Sequence, residues 1–325
     1  TYHQILYPFM VQDWLSLVPR FGVRYTAYRD VEGGAAVGQN PNQDQNRGIA
    51  HLGLDASFKI SKNYDGVSIP KLGVDGLKHI SQPYVNYSFN AGDDLPEGFA
   101  KIDRYAPTTR LRPLDQSLFP AIDEIGQWNI VRTGMRNRLL TRRDGEVRDW
   151  FYLDTYFDSY IDDNEFDRNF SNLFNNFTWR PLDWLALDVS SQLPVFGDEF
   201  DFTEINTDVR WQPWRHTEFT IGHRNLADHP FFEDSSLLYF YSYTRLNDNW
   251  GFSMRHRYEL DDSIWEMQQY SIHRDLSSWT MAVGGMILDN RGQKEYGFVF
   301  SLSLKDFPRL TIPFSIIPGS ESQGR

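Results

Sequence analysis

The chain of 325 residues contains no cysteine, which excludes disulfides, thiolate metal centres and cysteine nucleophiles. Nor does any segment approach the roughly 18 to 20 consecutive apolar residues of a membrane-crossing helix, so a helical membrane protein is excluded. No charged-then-apolar leader follows Thr1, and the expectation is a mature or truncated polypeptide. A basic surplus is missing too: 32 Lys and Arg stand against 44 Asp and Glu, a formal charge of -12, so no nucleic-acid partner is expected. Catalytic signatures are also missing. No His-Glu-x-x-His, Gly-x-Ser-x-Gly or Walker pattern occurs, and the eight histidines, among them His51, His79, His216, His223, His256 and His273, are scattered. The expectation is a protein that is not an enzyme and holds no cofactor and no metal. A hydrolase would need a Ser/His/acid set assembled only in space.

What the chain does have is aromatic bulk. Trp, Tyr and Phe make 16% of it, yet mean hydropathy is -0.53. Strands with one greasy and one wet face combine these two properties. Period-two alternation supplies the faces, recurring at a spacing of about 20 residues, while helical periodicity is nowhere sustained. Between Lys294 and Lys305, Tyr296, Phe298, Phe300, Leu302 and Leu304 oppose Gly297, Val299, Ser301 and Ser303. From Asn249 to Leu260, Trp250, Phe252, Met254, His256 and Tyr258 oppose Gly251, Ser253, Arg255, Arg257 and Glu259. Likewise Val131, Thr133, Met135 and Leu139 oppose Arg132, Gly134, Arg136 and Arg138.

The pattern predicts about 15 strands, beginning near residues 3, 17, 48, 77, 128, 147, 171, 183, 201, 215, 235, 249, 263, 278 and 294. Many run about 10 to 13 residues and, tilted near 45°, would rise roughly 25 Å, the height of an outer-membrane apolar band. Trp179, Trp184, Trp211, Trp214, Trp250, Trp265 and Trp279 fall at strand ends, where interfacial girdles would put them. Connections alternate between short turns, such as Asp144-Gly145, and longer polar segments at 90–127, 159–170, 192–200 and 225–234. The predicted fold is all-β, an antiparallel transmembrane β-barrel of the outer membrane. A soluble sandwich or solenoid also alternates, but it would not leave so many aromatic stripes uncovered. An odd strand count does not suit a complete bacterial barrel, so the barrel is expected to be N-terminally incomplete. Residues 1–305 are read as strands and loops, and 306–325 as a periplasmic tail, because Pro308, Pro313 and Pro318 interrupt pairing.

Several segments resemble the barrel of the LptD family of LPS-assembly proteins. They are SLVPRFGVRYTAYRD (residues 16–30), HISQPYVNYSF (79–89), NIVRTGMRNRLLTRRDG (129–145), WRPLDWLALDV (179–189) and WQPWRHTEFTIGHR (211–224). The most specific is YSIHRDLSSWTMAVGGMI (270–287), similar to the family's Arg-Asp-Leu-x-x-Trp hairpin. The family's cysteines and its N-terminal periplasmic jelly-roll are absent from this chain, and its barrel has more strands.

The resemblance implies export of lipopolysaccharide to the outer leaflet, an LptE-like plug lipoprotein, a periplasmic LPS-transport bridge, and contact with outer-membrane lipids. It also implies a lateral gate beside the closing strand, with Tyr296, Phe298, Phe300, Leu302 and Leu304 as its apolar face. Arg132, Arg136, Arg138, Arg255 and Arg257 are candidate lumen contacts for lipid phosphate, or else rungs of a ladder with acids such as Asp154, Glu204 and Asp208. The acidic run from Asp162 to Asp167 lacks the spacing of a calcium loop and reads as a solvated loop. The loop from Asn90 to Gln127 is long enough to be functional and is expected to fold over or into the lumen through Phe99, Tyr105 and Phe119. A porin-like passive channel is the alternative reading.

Overall fold

The computed structural model describes residues 1–31, 43–96, 99, 101–103, 108–119, 121–162, 168–197, 201–290, 292–305 and 311–316. The eighteen strands among these described residues belong to one sheet. They are β1 Tyr2–Leu6, β2 Phe9–Val11, β3 Leu15–Val31, β4 Gln43–Phe58, β5 Ile60–Ile69, β6 Val74–Gly92, β7 Trp128–Arg143, β8 Glu146–Tyr160 and β9 Leu173–Leu182. There follow β10 Leu185–Leu193, β11 Thr203–Trp214, β12 Thr217–Ala227, β13 Ser235–Arg245, β14 Trp250–Glu259, β15 Ile264–Asp275, β16 Trp279–Asn290, β17 Gln293–Leu304 and β18 Thr311–Ile316. Among the described residues no helix is long and apolar enough to cross a membrane.

Pairing is antiparallel throughout and follows chain order. β1 and β2 both pair with β3, so they are one stave interrupted at Tyr7-Pro8, where proline offers no ladder N–H. β4 and β5 both pair with β6 and form one stave interrupted at Lys59. With those two interruptions the eighteen strands make sixteen staves. The first fifteen are those expected from the alternation. The sixteenth, β18, is a correction: Thr311–Ile316 lies antiparallel to β17, with Phe300 opposite Phe314 and Ser301 opposite Pro313. Among the described residues β18 has no second partner, and an edge strand tolerates a proline because one of its ladders is unused. β17 therefore is not the last strand of the sheet. The rest of 306–325 lies outside the described residues. No pairing among the described residues joins β18 to β1, and the sheet is not closed.

Turn chemistry accounts for the short connections. Asp144 and Gly145 have φ of 49° and 82° between the paired residues Arg143 and Glu146, the two positive angles of a type I′ hairpin, which matches strand twist. This turn and those at 12–14, 70–73, 183–184, 215–216, 246–249 and 276–278 share one end of the sheet, the short-turn end. The connections at 93–127, 161–172, 194–202 and 228–234 lie at the other, the long-loop end.

Directly paired residues share a face, so the register sorts every side chain. One face carries Phe21, Leu52, Leu54, Val85, Met135, Ile205, Ile221, Leu238, Ile272, Tyr296 and Phe298, all exposed. Among the described residues no second sheet covers it, which rules out the sandwich and fits a surface in contact with lipid. Trp14, Trp184, Trp211, Trp214, Trp250 and Trp279 are exposed near the short-turn end and Trp265 near the long-loop end. His256 is on this apolar face too, packed edge-on against Trp265 and Tyr270. It is one more aromatic of the belt.

Candidate functional site

The opposite, polar face holds the candidate residues. On β7, Arg132, Arg136 and Arg138 project from one face, as their spacing requires, and each meets a carboxylate of β8. Arg132 grips Asp158 through Nε and Nη2 at 2.7 and 2.9 Å. Arg138 does the same to Asp149 at 2.9 and 2.8 Å. Arg136 reaches Asp154 at 3.2 Å, lies 4.2 Å over the Tyr84 ring, and shares Asp154 with the Tyr84 hydroxyl at 3.0 Å. Gly134 between them leaves the space that the Tyr84 ring fills. The ladder continues with Arg20 to Asp55 at 2.8 Å and Arg210 to Asp188 at 2.8 Å. Of the acids expected to serve it, Asp154 does. Glu204 instead accepts from Gln192 and Asn206, both at 2.8 Å, with Arg224 3.9 Å away. Asp208 accepts the Tyr239 hydroxyl.

Arg255 and Arg257 differ. Both are exposed on the polar face of β14, and neither has a carboxylate partner among the described residues. Arg255 rests 5.3 Å from the Tyr241 ring centre. The surrounding polar face carries Tyr243, Ser253, Gln269 and His273, with a Ser253 to His273 hydrogen bond of 2.8 Å. Beyond them the same face of β16 and β17 is small at its centre, with Ala282 opposite Ser301 and Gly284 opposite Val299, and Glu295 lies opposite Leu288 toward the long-loop end. The sequence brought the five arginines forward as one set, and the register divides them into three that are neutralised and two that are not.

The long connection between β6 and β7 folds onto the polar face as a strap. Leu114, Phe119, Ala121 and Ile125 are buried, and the last three pack with Ile49 and Trp128 into a small apolar core. Phe99 meets Tyr28 edge to face at 5.0 Å, while Tyr105 lies outside the described residues. Polar locks hold the strap to the wall. Asp115 accepts from Arg20 at 3.0 Å and Gln4 at 3.2 Å. Burial opposes ionisation of Asp115, but hydrogen bonds from Ser117 and the charge of Arg20 outweigh it and hold its pKa below the ordinary carboxylate value. Gln116 Nε2 donates to Asn90 Oδ1 at 2.9 Å, and His51 Nδ1 meets the same oxygen at 2.7 Å. Because that oxygen only accepts, His51 carries its proton on Nδ1. Tyr28 donates to Asp123 at 2.5 Å, and Arg47, 4% exposed, donates to the carbonyls of Asp93, Ile122, Asp123 and Ile125.

Sequence reasoning missed these locks. Their signal was polar residues interleaved with Leu114, Phe119, Ala121 and Ile125 in a segment otherwise read as loop. The gate residues Tyr296, Phe298, Phe300, Leu302 and Leu304 do share one face of β17, opposite Ile287, Gly285, Val283, Met281 and Trp279, but they lie one stave in from the edge. Of the acidic run, Asp162 is described and 163–167 lie outside the described residues. No group of metal-binding side chains occurs among the described residues.

No curated protein matches the chain. One family does: the sequence model described as LptD: LPS transport system D covers residues 1–256, more than half of the chain and nearly all staves through β14. Combined with a single antiparallel sheet whose outer face is apolar, this match means that the chain belongs to the LptD family of outer-membrane LPS transport proteins.

Proposed function

We propose that this chain is the wall of a translocon that inserts lipopolysaccharide into the outer leaflet of the outer membrane in a Gram-negative bacterium. The observation that supports it most is the division of the polar face. Between β3 and β11, Arg20, Arg132, Arg136, Arg138 and Arg210 are each matched by a carboxylate, whereas Arg255 and Arg257 have none among the described residues and are open, Arg255 beside Tyr241. An unpaired guanidinium offers phosphate two parallel hydrogen bonds without first breaking an ion pair. The small residues Ala282, Gly284, Val299 and Ser301 of β16 and β17 lie on the same face beyond it and leave room for a bulky amphiphile close to the backbone.

In this reading the short-turn end faces the periplasm and meets the transport bridge, and the long-loop end faces outside. A plug lipoprotein occupies the polar side. The free edges at β18 and β1 are the sides of a lateral exit, with the apolar face of β17, Tyr296 to Leu304, guiding acyl chains into the bilayer. Residues 1–305 are the wall, and the chain past 305 adds an edge stave. The strap favours a second reading, a porin-like passive channel, because a loop packed on the inner wall is how such channels narrow. Arg255→Gln with Arg257→Gln, supplied as the sole copy, discriminates. Surface LPS falls at unchanged barrel abundance if the arginines contact lipid phosphate; export at the wild-type rate refutes their role.

A further inference from the structure

Where the strap meets β1 and β3, a strap carboxylate, Asp115, sits among donors of the wall. We infer that these donors form a seat for a phosphoryl group and that Asp115 occupies it as a built-in competitor, which such a ligand displaces. The seat is read from the strap and the wall alone. That the phosphoryl group belongs to a lipid headgroup rests on the export reading above.

Register assembles the seat. Tyr2 pairs with Arg24, Gln4 with Gly22 and Leu6 with Arg20, so Tyr2, Gln4, Arg20 and Arg24 share the polar face. Gly22, between the two arginines, has no side chain, and the Tyr2 ring fills the space, its Oη 2.9 Å from where a Cβ would stand. The Arg24 guanidinium lies 4.5 Å from the centre of the same ring. Onto this group the strap lowers two adjacent residues. Asp115 accepts from Gln4 Nε2 at 3.2 Å and from Arg20 Nη1 at 3.0 Å, and the Gln116 carbonyl accepts from Arg24 Nη2 at 3.2 Å. Two cations of one strand therefore converge on one carboxylate and one neutral carbonyl.

The strap fills this seat imperfectly. Arg24 has no carboxylate partner among the described residues, and a carbonyl satisfies its N–H without cancelling its charge. Tyr2 Oη and Arg20 Nε are buried with no hydrogen-bond partner among the described residues, and unpaired buried donors are rare in native proteins. Asp55, on Arg20 Nη2 at 2.8 Å, is the wall's own counter-charge, so the two arginines keep one charge in excess once Asp115 leaves. A phosphoryl group brings three acceptor oxygens and up to about two negative charges, against the two oxygens and single charge of Asp115. Exchange stays local. Ser88 holds the Leu114 carbonyl at 2.8 Å on one side and the small core around Phe119 anchors the other, which leaves Asp115 to Leu118 as the part that moves.

The test uses the full chain purified in detergent, with calorimetry reading affinity and a nitroxide reading displacement. Because the sequence has no cysteine, Leu118→Cys, at a position 68% exposed, carries a single label. Inorganic pyrophosphate and dihexanoyl phosphatidic acid are titrated separately, with dihexanoyl phosphatidylcholine as the zwitterionic control. Saturable binding of the first two is expected, with the label gaining mobility over the same concentrations, and no response to the control. Asp115→Asn should tighten binding about tenfold and Arg24→Gln should weaken it by at least as much. Heat-modifiable mobility checks that each variant is folded, and the labelled protein, which keeps Asp115 and Arg24, decides the matter should either variant not fold. A label that stays immobile throughout, an equal response to phosphatidylcholine, or an affinity unchanged in both variants overturns the seat. A response to pyrophosphate but not to phosphatidic acid refutes the lipid headgroup as its source. None of these results touches export, which is judged by LPS at the surface of cells.

Discussion

Arg132 and Asp158 face each other across β7 and β8 and share two hydrogen bonds, with Asp158 only 2% exposed. A buried pair of this kind is a weak source of net stability, but removing one partner strands the other charge and costs about 3 to 5 kcal/mol. Arg132→Met should therefore lower unfolding stability strongly in a urea titration monitored by gel mobility. Arg257→Met, at an exposed arginine without a carboxylate, should stay within about 0.5 kcal/mol of wild type. Equal losses would mean that Arg257 has a partner in the working protein.

Faces can be read directly. Spin labels at Met135 and Phe252 should be broadened by lipid-soluble oxygen, and labels at Arg136 and Arg255 by a water-soluble relaxation agent. The reverse pattern would place the strands one residue out of register, which moves every side chain to the other face.

The strap depends on Phe119, 4% exposed in its small core. Phe119→Ala should cost about 3 to 5 kcal/mol of the strap's packing and free the segment from the wall. In planar bilayers the variant should show higher and noisier ion conductance than wild type. Conductance equal to wild type would show that the strap does not narrow the path.

His229, in the connection between β12 and β13, accepts the backbone N–H groups of both Phe231 and Phe232 through Nδ1 at 3.1 Å. Burial against Phe202 and Phe232 pushes its pKa below the ordinary histidine value, with Glu204 opposing the shift. The folded state thus prefers the neutral ring. Its stabilisation is complete above the unfolded pKa of about 6.5 and is lost as pH falls through the lower folded value. Protection of the Phe231 and Phe232 amides, relative to their intrinsic exchange rates, should fall as pH drops below the ordinary histidine value, and His229→Gln should abolish that pH dependence. Protection that is flat with pH in wild type would contradict the assignment.

How far the sequence carried varied from element to element. β14 and β17 could be read residue by residue, because a strand between lipid and water prints its two faces as strict alternation. β18 could not, since Pro313 argues against a strand unless one knows that the strand has a single neighbour. The arginines were legible as a stripe, but their pairing was not: Arg132 meets Asp158, and Arg255 meets no acid among the described residues, because of cross-strand register, which alternation leaves open. The locks of the strap were least legible. Arg47 holds carbonyls 75 to 78 residues away, and Asp115 holds Arg20 across 95, so no local pattern encodes them.

Export as opposed to passive conduction is tested most directly by depleting the protein from growing cells while following newly made LPS at the surface together with uptake of a small hydrophilic solute. Surface delivery of LPS is expected to stop and LPS to accumulate on the inner side of the outer membrane, while solute uptake through other channels continues. LPS that still reaches the surface at the normal rate, with solute uptake falling in step with the protein, would contradict it.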